Sequence, residues 1–163
     1  MWNVNTDFYI MELKMSYRNE TELKDMEKCD SLLEDYPNEI GSYIRSIEFV
    51  TTAKTRLEYA KDICKFYDYV AYIENIDKKD ISTEFLDGLN VTFYSEYLHF
   101  LRNHKINGKV YSNSDTTIKR KLSALRSYFT YLFEMEYISS NQVSRVSLQA
   151  PIHASLWRAA DRL

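Results

Sequence analysis

Three glycines and two prolines punctuate a chain of 163 residues. That scarcity is the strongest constraint on its fold. Glycine supplies positive φ and proline ends regular structure, so a chain poor in both turns rarely and runs in long elements. Period-two alternation is nowhere sustained, and no hairpin signal sits between apolar runs. The expectation is an all-α bundle of four main helices with shorter pieces. An apolar fraction of 45% is enough for one compact core.

The clearest helix is Thr116 to Glu134. Ile118, Leu122, Leu125, Phe129 and Leu132 recur at spacings of four and three, which places them on one helical face. Ser114 or Asp115 is its expected N-cap. Upstream, the pattern predicts a helix over 21–33 capped by Thr21, a break at Tyr36-Pro37, and a helix from Glu39 to Phe49 capped by Asn38. Either Thr51 or Thr52 caps the next helix, which runs to about Ile73 with Leu57, Ile63, Phe66, Tyr67 and Val70 inward. A short turn of helix ends at Gly88, expected as a left-handed cap. Another helix spans Asn90 to Asn103, and a short last one spans Gln142 to Val146. The segment 103–115, with its Asn-Gly and several Ser and Asn, reads as a loop.

Cys29 and Cys64 form neither a CxxC nor a zinc spacing, so no metal, disulfide or cofactor site is expected, and two reduced thiols suit a cytoplasmic protein. No apolar run reaches membrane-spanning length, and the N-terminus lacks the form of a signal peptide. The net charge of −3 hides a gradient. Residues 1–40 carry 4 Lys or Arg against 10 Asp or Glu, whereas residues 105–163 carry 9 against 4. The local sign sets the field a partner meets.

Lys119, Arg120, Lys121 and Arg126 lie off the apolar stripe of the 116–134 helix. Cations in a first turn oppose the helix dipole, at about 0.3–1 kcal/mol each. Such local conflicts tend to mark functional sites. Several Lys or Arg at helical spacing, with hydroxyls from Thr116 and Thr117, are what phosphate neutralisation requires. A solvated basic face is the plainer reading of the same residues. A second helix start, with Thr51, Thr52, Lys54, Thr55 and Arg56 followed by Tyr59 one turn on, repeats the recipe. No catalytic set stands out. His99 and Arg102 form an H-x-x-R pair inside an amphipathic helix, without ordered Arg, Lys and Tyr partners, and none of the 14 tyrosines sits in a His-and-Arg cluster.

With these residues in view the chain resembles the N-terminal core-binding, SAM-like domain of tyrosine recombinases, the phage integrases and Xer-type enzymes. Thr55, Tyr59, Asp62 and Ile63 match the spacing of one family helix. Thr117, Arg120, Lys121, Leu122, Ser123, Ala124, Leu125, Arg126, Phe129, Tyr131 and Leu132 fall in register with the family's last long helix, followed by Ile138 and Asn141. Gln142 stands where the family has proline. The resemblance covers about residues 38–151 and implies half of a clamp on double-stranded DNA, with other recombinase protomers as partners in a prokaryotic or mobile-element setting. It implies that the catalytic domain lies outside this sequence, so that this chain is no enzyme. Residues 1–37 form an acidic arm that can be helical, and 152–163 a linker or tail. The rival reading is a helical protein-interaction module with no nucleic-acid role.

Overall fold

A computed structural model describes residues 4–106 and 108–148. The residues expected to form the tail, 152–163, lie outside them. Two units divide the chain, Met1–Ser82 and Thr83–Leu163. Each is mostly helical, as expected.

In the first unit, α1 (Val4–Leu33), α2 (Asn38–Ser46) and α3 (Ala53–Glu74) pack together, α1 lying along α3. The expected helix start at Thr21 is corrected, because α1 already begins at Val4. Its exposed Ile10, Met11, Leu23 and Met26 draw no clean stripe, which is why the sequence pattern misses its first half. Asn38 is not a cap. Pro37 holds the N-cap position with no side-chain bond, and Asn38 is the first helical residue. The α2 helix ends at Ser46, and a 3-10 turn, Glu48–Val50, replaces its expected last turn.

All five expected inward residues of α3 are buried, together with Ile40, Tyr43 and Ile44 of α2. Tyr36, also buried, donates from Oη to Asp68 Oδ1 at 2.7 Å and packs edge-on against Tyr67. Lys78 Nζ sits 4.2 Å from the Tyr36 ring centroid. Cys29 and Cys64 are free and buried, and burial pushes the Cys64 thiol up to about 12. The α3 helix closes on Asn75 in the left-handed region at φ 55°, where a small polar side chain is tolerated.

The second unit holds α4 (Thr83–Asp87), α5 (Val91–Arg102), a two-stranded antiparallel hairpin of β1 (Asn103–Ile106) and β2 (Lys109–Ser112), α6 (Asp115–Glu134), and a final 3-10 turn, Gln142–Arg145. The hairpin corrects the expected loop. Ile106 pairs with Lys109, which leaves a two-residue link whose Gly108 takes φ +77°. That conformation suits Asn-Gly links between strands and costs glycine nothing. Gly88, by contrast, is not left-handed. It closes α4 by donating its N–H to Glu84 and Phe85 carbonyls.

The five-residue stripe of α6 is at most 3% exposed throughout, packed with Tyr94, Tyr97, Leu98 and Leu101 of α5. Tyr94 meets Phe129 edge-on at 5.4 Å between centroids. The segment after α6 returns under a carboxylate. Asp87 accepts from Ser139 Oγ at 2.7 Å and from the Ser140 N–H at 3.2 Å. Those bonds hold its carboxyl below the usual value.

Candidate nucleic-acid interface

The start of α6 is built from its cap outward. Ser114 takes an extended backbone (φ −64°, ψ 157°), and its Oγ accepts the Thr117 N–H at 3.2 Å. Ser114, rather than Asp115, is therefore the cap, satisfying one of the donors left over at a helix start. Thr117 Oγ1 lies 3.0 Å from Ser114 Oγ, so this hydroxyl is part of the cap. Thr116 is exposed. One turn in, Ile118 is 1% exposed and anchors the tip in the core.

That burial fixes which way the cations face. With Ile118 and Leu122 inward, Lys119 and Arg120 are exposed and Lys121 half-buried. Lys119 forms no ion pair among the described residues. Asp115, the carboxylate of the first turn, is bonded to Arg102 Nη2 at 2.8 Å. Arg102 thus answers the one negative side chain of the tip. Arg126 is placed differently from the other three. It is exposed, but its Nη2 donates to the Val146 carbonyl and ties the end of the final 3-10 turn to α6.

The start of α3 follows the same design in the other unit. Thr52 is extended, and its Oγ1 accepts the Thr55 N–H at 3.2 Å and lies 3.0 Å from Thr55 Oγ1. Lys54 is exposed and outside any ion pair among the described residues, and Tyr59 is half-buried one turn on. The sequence pattern counts Arg56 among the cations of this start, but the structure gives it a bond to the backbone instead. Its Nη1 donates to the carbonyls of Glu48 (3.1 Å) and Thr51 (2.9 Å), closing the 3-10 turn onto α3. The signal was local, since an arginine one turn inside a helix can reach back to carbonyls left open just before it.

His99 and Arg102 line a cleft of about 150 Å³ with Ser95, Leu98, Ile118, Ser147 and Leu148. Partial burial, helped by the Arg102 charge, lowers the His99 pKa below its ordinary value. Arg102 is held by Asp115. Among the described residues no group of three His, Cys, Asp or Glu comes together to hold a metal, and no helix is long and apolar enough to cross a membrane.

A capped, core-anchored tip with outward cations presents positive potential to solvent. Residues 42–148 match the phage integrase SAM-like domain. A tyrosine recombinase of Thermosipho africanus (strain TCF52B) is 35% identical over 89 residues, covering 54% of this chain and 26% of the relative. The matched segment thus spans about a quarter of that relative's length. No solved structure gives a significant match. With its match running through both helix starts and most of its length, this chain belongs to the phage integrase SAM-like domain family.

Proposed function

We propose that the chain is the duplex-gripping module of a site-specific tyrosine recombinase, acting as half of a clamp in the cytoplasm of a prokaryotic or phage host. The observation that carries this is the α6 tip, where Lys119 and Arg120 are exposed beside a stripe that is fully committed to the core. Lys119, Arg120, Lys121 and Lys54 neutralise phosphates. Thr52, Thr55, Thr116 and Thr117 supply hydroxyls to phosphate oxygens, Tyr59 flanks the contact, and Arg126 contributes charge from one turn further along α6. The binding domain runs over residues 38–151. The 163-residue chain holds duplex DNA and leaves it uncut, while the recombinase of which it is part breaks and rejoins strands.

The test is a salt titration of duplex binding by fluorescence anisotropy. About four phosphate contacts give log K a slope near −3.6 against log salt. A flat response removes the reading. A covalent protein–DNA adduct formed by this chain alone would show that it is an enzyme. Other protomers of the recombinase are proposed as protein partners, because Phe133, Met135 and Tyr137 leave apolar surface exposed at the end of α6 (48%, 53% and 41%). Sedimentation on a duplex with two adjacent sites checks this. Independent loading at both sites argues against protomer contacts.

A further inference from the structure

The hairpin between α5 and α6 is not used by the reading above, yet it is built to hold a fixed position. His104 stacks on Phe100 at 4.2 Å between centroids and on its cross-strand partner Tyr111 at 5.3 Å, so three rings lie nearly parallel. His104 Nδ1 lies 2.8 Å from the Phe100 carbonyl, which requires an Nδ1–H donor. Asn113 Nδ2 donates to the Leu101 carbonyl at 2.7 Å, and the Arg102–Asp115 bond closes the base of the hairpin against the first residue of α6. An exposed ribbon with no buried face of its own needs such staples to persist.

The ribbon is also cationic and exposed. Between Arg102 and Lys121 the chain carries six Lys or Arg against one Asp, and that Asp is paired. Lys105 and Lys109 are exposed, as are Val110 and Tyr111. Alternation along a strand puts Lys105, paired with Val110, on the face away from the ring stack. Lys109 lies on the other face, with Nζ 5.5 Å from the Tyr111 ring centroid. Cations on both faces do not suit one flat partner. They suit a cleft with negative walls on two sides. The major groove of DNA, about 12 Å wide, admits a two-stranded ribbon and is flanked by phosphates on either side. A pre-ordered ribbon also loses little entropy on binding.

We infer that the β1–β2 hairpin is a second DNA-contacting element, a ribbon seated in the major groove next to the α6 tip, with Lys105 and Lys109 reaching phosphates on its two sides. This rests on the duplex-binding reading. The test compares the salt dependence of duplex binding for the full chain, the K105Q/K109Q variant and a K24Q/K28Q control on α1. With the hairpin's two contacts added to the four at the helix starts the slope steepens to about −5.4, and their loss returns it to about −3.6, so between 50 and 200 mM salt the unaltered chain loses about 12-fold more affinity than K105Q/K109Q. The control should match the unaltered chain, and thermal melts should be alike for all three.

An unchanged slope in K105Q/K109Q, or an equal change in K24Q/K28Q, overturns the inference. If the unaltered chain itself responds flatly to salt, it is the duplex-binding reading that fails. If that chain responds steeply and only K119Q/R120Q flattens it, the reading stands and the hairpin has no part in it. A major-groove competitor should displace the chain, and displacement by a minor-groove ligand instead would count against the seating.

Discussion

The α3 and α6 helices are the two ends of one comparison. Both begin with a hydroxyl cap of the same geometry, 3.2 Å from cap oxygen to the third amide and 3.0 Å between the two hydroxyls. Both end on a left-handed residue that closes a six-residue hydrogen-bonded turn, Ile76 N–H to the Ala71 carbonyl and Tyr137 N–H to the Leu132 carbonyl. Both carry an arginine tied to backbone carbonyls, Arg56 and Arg126. They differ in the number of cations. Beside Arg56, the α3 start carries Lys54. The α6 start carries Lys119, Arg120 and Lys121, and its single carboxylate is paired by Arg102. Capping chemistry is therefore shared architecture, and the number of cations is what separates the two ends.

The largest effects should come from the anchors, and they should be equal. Leu57 (4% exposed) and Ile118 (1%) each fix a tip to its core. Leu57→Ala and Ile118→Ala should each cost about 2–5 kcal/mol in urea unfolding. A loss below about 1 kcal/mol at either site would mean that its tip is not anchored and that the two starts are unlike. Charge reversal should then separate what anchoring leaves alike. K119E/R120E should weaken duplex binding more than about tenfold, or ~1.4 kcal/mol, with far-UV circular dichroism unchanged. K54E should weaken it by less than half as much on a logarithmic scale. Equal losses would erase the asymmetry.

The caps test the shared part. Thr52→Ala and Ser114→Ala should each cost about 1 kcal/mol, because each removes the acceptor for one helix-start amide. Thr117→Val should leave the cap amide bond intact while removing a hydroxyl from the tip. Its melting temperature should fall by less than that of Ser114→Ala, and a larger fall would show that the hydroxyl pair, rather than the amide bond, closes the helix start.

Much of this comparison is legible in the sequence, and the rest is hidden for identifiable reasons. The stripe from Ile118 to Leu132 is readable because helical geometry alone maps a four-and-three spacing onto one face. From that stripe the exposure of Lys119 and Arg120 follows. The Thr52 cap is readable because side-chain capping is local. The Arg126 bond is not, since its partner carbonyl lies 20 residues ahead and depends on how the chain returns after α6. The hairpin is hidden because neither strand has a face in the core. His104, Lys105, Val110 and Tyr111 therefore show no alternation of apolar and polar residues, and only the Asn-Gly link betrays a reversal.

The smallest effect lies at the far ends of the two helices and is expected to be a gain. Asn75 and Glu136 sit at φ 55° and 60°, where the Cβ of most residues crowds the carbonyl that follows. Asparagine tolerates that region. Glutamate has no such local compensation, and Glu136 is exposed, so its side chain contributes no core packing to lose. Glycine at either position relieves the crowding but adds freedom to the unfolded chain, and the two effects oppose each other. Where the strain is larger, relief should win. Glu136→Gly should stabilise the protein by about 0.5–1 kcal/mol, and Asn75→Gly should change it by no more than a few tenths. Glu136→Asn should recover part of the gain without the added freedom. Equal responses of the two ends in urea melts would mean that α6 closes with no more strain than α3, and the asymmetry between the helices would be confined to the charges at their starts.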